Sequence, residues 1–357
     1  MWHRRLTAVT NCDVQGHNLR PDTPDNSLAY LIGDENVDKL WVETGGRLHL
    51  GQLDLNGSLG RLYGGLGLAI DQPRLEVVAE KSEGFCLVCP ASEQERLKTI
   101  ACEYLTFYGL PGVKLELVQA LPSHSGFGSG TSLSLALGFA ITRVYGLHPP
   151  LTELATITDR EGSRSGLGVA AFAQGGLLVD GGRTLEFHPG SHRSQIPPLL
   201  ARLPFPDEWS IILAMPDNER TFGIKEENAF RSLPPMEEGV SGAICRLILM
   251  KLLPGLLEKN LESFGQALAA IQEYLGSYFT PVQGGSFASA EGLRIAEYLR
   301  SQGAVGVGQS SWGPAIYGFT QREHCSLLLT RTRNYVGDPN RVWVASGRNH
   351  GASWGWR

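Results

Sequence analysis

The chain has 357 residues, a net charge of −5 and a hydrophobic fraction of 42%, which is too long for one small core and fits two domains of ordinary size. The mild acidity gives no reason to expect nucleic acid, which calls for a clustered basic face. Its 44 glycines against 20 prolines are interleaved with apolar periodic stretches, so they read as tight turns and close backbone approaches and not as disorder.

Residues 1–38 are polar and irregular, carry Pro21 and Pro24, and lack an apolar leader; they read as an irregular N-terminal extension without a secretory signal. No apolar run reaches the roughly 20 residues of a spanning helix, so the expected location is cytoplasmic, with no membrane partner. Six cysteines in a chain this long do not make a disulfide framework. Cys86 and Cys89 form one C-x-x-C in an apolar stretch with no second pair at zinc spacing, which favours a buried strand over a metal site.

From Trp41 the pattern tightens. Residues 41–50 (WVETGGRLHL) and 66–79 (LGLAIDQPRLEVVA) read as strands flanking a glycine-rich turn region. Residues 92–107 suit a helix, with Ser92 as N-cap and Glu95 completing a capping box. In VKLELV, Val113, Leu115 and Leu117 alternate with polar residues, as a half-buried strand requires. After a Gly/Ser loop, Leu133, Ala136, Leu137, Ala140, Ile141 and Val144 fall on one helical face, and Gly146 sits where that helix stops. Helices are expected over 151–160 and 164–174, and a strand within GGLLVDGG (175–182). The stretch 188–208 holds five prolines and reads as a domain junction. Beyond it, WSIILAMP (209–216) reads as a buried strand, followed by helices near 240–252, 257–276 and 287–302 and strands near 304–308, 314–319 and 341–346. The order implies two α+β domains, 39–205 and 206–357.

Three constellations carry chemistry. The first, Pro122-Ser123-His124-Ser125-Gly126-Phe127-Gly128-Ser129-Gly130-Thr131-Ser132, lies between a strand and a helix start. A helix start offers unpaired N–H groups and a positive dipole end, and glycines let that backbone wrap a phosphate; the alternative is a small-residue turn capping a core helix. It is not a Walker A loop, because no G-K-[ST] closes it. The second gathers Arg47, His49, Asp54, Asn56, Arg61 and Gly65 on glycine-rich backbone. Arginines bind phosphate bidentately, and a carboxylate with a carboxamide suits ribose hydroxyls or hydrated magnesium; the alternative is a hairpin with solvent-facing charges. The third, Arg160 to Gly168, places Arg164 and Ser165 ahead of a helix, and a charged helix start is its plain alternative.

The blocks R-L-H-L-G…D-L-N-G-S-L-G-R…G-G-L-G-L-A, P-x-H-x-G-F-G-S-G-T, R-S-G-L-G-x-A-A-F-x-x-G-G and G-V-G-Q-S-S-W-G-P, in this order from Arg47 to about residue 320, resemble the β-ribofuranosylaminobenzene 5'-phosphate synthase family. Pro122 to Gly130 is similar to the phosphate loop of the GHMP kinase superfamily, and Gly306 to Pro314 stands where that superfamily carries a second glycine-rich motif. The resemblance implies an α+β, two-domain GHMP-kinase-like fold, with an N-terminal domain like ribosomal protein S5 domain 2 and a ferredoxin-like C-terminal α/β sandwich. It implies a pentosyltransferase of methanopterin biosynthesis that joins phosphoribosyl pyrophosphate to 4-hydroxybenzoate or 4-aminobenzoate, releasing pyrophosphate and CO2. Magnesium is expected with the donor, with Asp54 as a candidate ligand, and no organic cofactor.

On that reading His49, Asp54, His124 and Arg164 are the candidate catalytic residues. Arg47, Asn56, Arg61, Gly65, Gly126, Gly128, Ser129, Gly130, Thr131, Ser165, Gln309, Ser310, Ser311 and Trp312 are the candidate binding residues. The partners are these small molecules, and self-association into a homodimer is left open. Many GHMP kinases carry an aspartate at the position aligned here with Gly168, so kinase chemistry is not expected. An ATP-dependent small-molecule kinase and a non-catalytic nucleotide-binding regulator are the alternatives.

Overall fold

In the computed structural model, which describes residues 7–10, 39–158, 166–185, 196–217, 232–311 and 313–357, a long antiparallel hairpin organises the first half. After β1 (Thr7–Thr10), the hairpin is formed by β2 (Lys39–Asp54) and β3 (Arg61–Glu80), 16 and 20 residues long. β4 (Phe85–Cys89) and β5 (Val113–Gln119) pair parallel beside β3, and β1 lies antiparallel along β4. β6 (Leu177–Asp180) and β7 (Arg183–Thr184) join the distal half of β3, and β8 (Leu199–Leu203) pairs with β6. Among the described residues, the helices α1 (Gln94–Tyr108), α2 (Ser129–Val144), α3 (Leu151–Ile157) and α4 (Leu167–Gln174) accompany this sheet. α2 lies across β2 and β3. The expected apolar face of α2 is buried throughout, and Gly138 lets it approach α1, since a Cβ there would meet the Tyr104 ring at 2.4 Å. Gly146, at φ +73°, ends the helix as expected.

The second sheet is built from β9 (Trp209–Ala214), β10 (Val305–Gln309), β11 (Ile316–Gln321) and β12 (Val342–Ala345) in the order β10-β11-β9-β12, all antiparallel. Helices separate β9 from β10 and β11 from β12, the strand–helix–strand–strand–helix–strand pattern of a ferredoxin-like unit. The helices are α5 (Glu238–Leu257), which contains a π turn at Ile248–Leu252, α6 (Leu261–Gln283), α7 (Ala290–Ser301) and α8 (Cys325–Val336). Every residue of β9 is buried, and each large side chain there contributes about 1.5–3 kcal/mol by leaving water. The two sheets share one core, in which Leu48, Leu66 and Phe127 of the first unit join Trp209, Phe264 and Phe319 of the second.

Several expectations need correction. Ser92 does not cap a helix: residues Ala91–Glu93 form a 3-10 turn ahead of α1 with no side-chain cap, because the preceding Pro90 already sets the entry. The 1–38 segment is not wholly separate, since Thr7–Thr10 extends the first sheet. The proline-rich junction contains β8, a strand of the first sheet. α8 and β13 (Ser353–Trp356) went unread, and β13 returns to pair with Leu40–Glu43 of β2, so the chain does not divide cleanly near residue 205. Cys86 and Cys89 lie in a strand with free thiols, as expected, whereas Cys102 is disulfide-bonded. α5 is 20 residues long and, by length and composition, apolar enough to cross a membrane, contrary to the expectation from the sequence. Ile244, Ile248, Leu252 and Leu256 on one of its faces are nevertheless buried in the shared core.

Candidate active site

The site begins with an irregularity in β2. His49 pairs with Gly67 and Gly51 with Leu66, so Leu50 is an extra residue opposite β3. In a regular strand, residues three apart face opposite sides; the bulge returns Gln52 to the side of His49. Both line one cleft with Gln272, Leu275, Phe279 and Gln283 of α6.

The glycine loop meets this strand one step earlier. Arg47 N donates to Phe127 O at 2.9 Å, and Arg47 Nη1 donates to Gly126 O at 3.2 Å. Gly128, at φ +73°, is the N-cap of α2, and a Cβ there would meet Arg47 Cγ at 3.0 Å. The guanidinium stem therefore lies over the start of α2, whose first N–H groups, on Ser129, Gly130 and Thr131, have no acceptor within the helix. A cation beside a helix N-terminus is suited to an anionic group such as a diphosphate. On the far side of Thr131 lies Gly168 of α4, where a Cβ would meet Thr131 Cγ2 at 2.8 Å.

The second glycine-rich segment closes the arrangement. Ser310 Oγ accepts from His49 N at 3.0 Å and donates to Gly126 O at 2.7 Å. Ser311, at φ +56°, donates its N–H to His49 O at 3.1 Å. Gly126 and Gly313 touch backbone to backbone, since a Cβ on Gly313 would fall 2.4 Å from Gly126 Cα. Gln309 is held at both ends: Nε2 donates to Ser311 O at 2.9 Å, and Oε1 accepts from Ala288 N at 2.7 Å. Arg47, His49, Gly126, Gly128, Ser129, Gly130, Thr131, Gln309, Ser310 and Ser311 are thus assembled as one constellation.

The remaining candidates lie elsewhere. Asp54 ends β2 opposite Tyr63, roughly 20 Å from Arg47 at about 3.3 Å per residue. Its Oδ1 accepts from Asn56 N at 2.6 Å, Gly57 N at 3.4 Å and Ser241 Oγ at 3.0 Å. Asn56 Nδ2 donates to Met236 O at 2.6 Å, so the two residues build the hairpin turn and tie it to α5. Burial, with the nearby Asp54 carboxylate adding, raises the pKa of the Cys245 thiol. Arg61 donates to Gly181 O and Gly182 O, both at 2.7 Å, and is exposed on the same distal turn. Gly65 makes room for Asp180, whose Oδ2 would lie 2.7 Å from a Cβ there. His124 is exposed at φ +55°, unlike the buried His49. Arg164, Ser165 and Trp312 lie outside the described residues.

Two features escaped the sequence. Asp180 is buried and accepts from Gly166 N at 3.1 Å and Gly182 N at 2.9 Å; only its place between glycine pairs hinted at this. The α6 wall was missed too, although Gln272, Gly276, Phe279 and Gln283 fall at i, i+4, i+7 and i+11, one helical face mixing amides with an aromatic.

Fold and loop together define a GHMP-kinase-type chain. The family described as GHMP kinases N terminal domain matches residues 95–176. Among solved structures, homoserine kinase from Cytophaga hutchinsonii superposes with a TM-score of 0.64 at 18% identity, covering 91% of this chain and 100% of that one. Galactokinase from Lactococcus lactis gives 0.61 at 15% identity, covering 89% and 95%. At such identities the likeness concerns the fold alone. The sequence is also 38% identical over 322 residues to β-ribofuranosylphenol 5'-phosphate synthase of Archaeoglobus fulgidus, covering 87% of this chain and 98% of the relative. The protein of that name from Methanocaldococcus jannaschii is 34% identical, covering 85% and 94%. The chain belongs to the β-ribofuranosylphenol 5'-phosphate synthase family.

Proposed function

We propose that this chain joins phosphoribosyl pyrophosphate to a para-substituted benzoate with loss of pyrophosphate and CO2. The single observation that carries the reading is the backbone contact of Gly126 with Gly313. It joins the anion-attracting start of α2 to a cleft lined by uncharged side chains and His49. The relatives' name specifies a phenol, which favours 4-hydroxybenzoate over 4-aminobenzoate as acceptor.

The reaction balances without an outside oxidant or reductant. The bond from ribose C1 to the diphosphate oxygen breaks, and its electron pair leaves with pyrophosphate. The ring carbon bearing the carboxylate forms the new bond to C1. The bond to the carboxylate then breaks, its pair restores aromaticity, and CO2 departs. Arg47 and the N–H groups of Ser129, Gly130 and Thr131 are suited to the charge growing on the leaving group. The Ser310 and Ser311 contacts hold His49 and the loop in fixed relation, so the protein supplies alignment and exclusion of water.

Asp54 does not fit a magnesium ligand in this role, because its Oδ1 already accepts hydrogen bonds and it stands at the far end of the hairpin. Among the described residues no group of three or more His, Cys, Asp or Glu side chains gathers at one point. Magnesium entering with the donor's diphosphate, a cytoplasmic location and assembly as a homodimer belong to the same proposal; the last is checked by sedimentation of the purified chain.

The test is to supply phosphoribosyl pyrophosphate, magnesium and carboxyl-labelled 4-hydroxybenzoate or 4-aminobenzoate and to count labelled CO2. Donor-dependent release is expected. Release without the donor, or none with either acid, sinks the reading.

A further inference from the structure

The glycine loop accounts for the donor's charge but leaves open where the aromatic acid sits. Of the amides around the cleft, two are committed to the framework. Gln272 donates to Leu50 O at 2.7 Å and accepts from Gln309 N at 3.2 Å. Gln309 is bonded at both ends, as described above. Gln52 differs. Only 9% of it is exposed, it lines the cleft, and its amide has no hydrogen-bond partner among the described residues. An amide that lines a cleft and is not tied to the framework keeps its donor and its acceptor for a ligand.

The surroundings specify that ligand's chemistry. Leu275 and Phe279, each about 5% exposed, offer an apolar wall on which a ring packs. Among the lining residues none is Lys, Arg, Asp or Glu, and His49 is the only titratable side chain. A diphosphate placed here would have its charges unpaired. Gly51 keeps the cleft narrow and flat, since a Cβ there would meet Leu275 Cδ1 at 2.8 Å. His49 lies at the end tied to the glycine loop through Ser310. Gln52 lies three residues on, roughly 7–10 Å along the bulged strand.

Resting on the reaction proposed above, we infer that this cleft is the acceptor site, with Gln52 binding the para substituent of the aromatic acid. The ring packs on Phe279 and Leu275. The carbon that bears the carboxylate faces the His49 end and the donor, and the para group points to Gln52. An amide both donates and accepts, so it takes a hydroxyl or an amino group in turn. Gln52 is therefore a positioning residue for the acceptor and makes no contribution to the donor.

The test combines turnover with calorimetric binding of 4-hydroxybenzoate and of unsubstituted benzoate to the wild type and to Gln52→Leu. Removing one neutral hydrogen bond is expected to weaken 4-hydroxybenzoate by about three- to tenfold. Benzoate, which lacks the para group, should bind both proteins alike, and the KM for phosphoribosyl pyrophosphate should not move. Ser286→Trp, which fills the cleft from its exposed rim, should abolish binding of both acids and covers the case in which Gln52→Leu fails to fold. An active wild type whose acid binding neither variant alters places the acceptor elsewhere and leaves the proposed reaction standing. Acid binding that depends on Gln52 in a protein that releases no CO2 keeps the site and removes the reaction. A protein that neither binds the acid nor releases CO2 removes both.

Discussion

Gly313→Ala tests whether the two glycine-rich segments work as one unit. Gly313 does not occupy the left-handed region, so alanine adopts its backbone and the perturbation is steric. The added Cβ would stand 2.4 Å from Gly126 Cα and N, where ordinary contact begins near 3.4 Å. The atoms it meets belong to backbone, so no rotamer change relieves the clash and the loops must part by about 1 Å. That stretches the Ser310 Oγ to Gly126 O hydrogen bond from 2.7 Å beyond useful range. Overpacking costs about 1–3 kcal/mol and the lost hydrogen bond about 0.5–1.5 kcal/mol, giving roughly 1.5–4.5 kcal/mol together. At about 2–4 °C per kcal/mol, the melting temperature should fall by at least about 3 °C. Donor affinity, measured by calorimetry with phosphoribosyl pyrophosphate, should fall with it. Gly242→Ala is the control, because nothing lies within 4 Å of a Cβ there and the helix should gain about 0.8–1 kcal/mol. A Gly313→Ala protein that melts and binds donor like the wild type would refute the coupling.

Ser310→Ala should destabilise by about 1–3 kcal/mol, because the buried His49 N–H is left without its acceptor, and should lower kcat/KM; urea unfolding and initial rates decide it. Tyr317→Phe should stabilise by about 1 kcal/mol in thermal melts, because the buried Tyr317 hydroxyl has no hydrogen-bond partner among the described residues and such groups carry a desolvation cost. Burial holds the hydroxyls of Tyr317 and Tyr108 protonated far above the usual tyrosine range, for Tyr108 with help from its hydrogen bond to Glu153. The native state then binds more protons than the unfolded one above about pH 10. Stability is fully present below that pH and falls as pH rises past it, and Tyr108→Phe should flatten this alkaline limb. Finally, an ADP-release assay with shikimate, pantoate, homoserine and mevalonate should show no acceptor-dependent turnover, because Gly168, facing Thr131, carries no carboxylate.

Local periodicity made much of the fold legible. α2, β5 and β9 lie where their apolar patterns put them, β5 because it buries alternate residues and β9 because it is an apolar run buried on both faces. The capping box at Ser92 failed because Pro90 had already fixed the chain's entry into α1. β13 was unreadable: its pairing with β2 depends on residues at the opposite end of the chain, and four residues carry no period of their own. The site divided on similar lines. Glycine and serine blocks marked where two backbone segments meet, because such contact needs small residues. Proximity in sequence misled for Asp54, Asn56 and Arg61, since a long extended hairpin carries neighbours in sequence far apart in space. Gln52 stayed hidden because its orientation depends on a bulge, and one extra residue in a strand leaves no signature in the alternation.

The return of β13 to β2 has a consequence for synthesis. Arg348 ion-pairs with Glu43 at 3.1 Å across 305 positions of sequence, and the strand after it completes the edge of the first sheet. At about 5–20 residues per second, roughly 15–60 s separate emergence of the two partners from the ribosome. Throughout that interval the outer edge of β2 offers unpaired N–H and C=O groups, the kind of surface on which chains aggregate. β13 acts as a seal: a nascent chain that stops short of it keeps an open sheet edge, with Glu43 paired to Arg74 but not to Arg348.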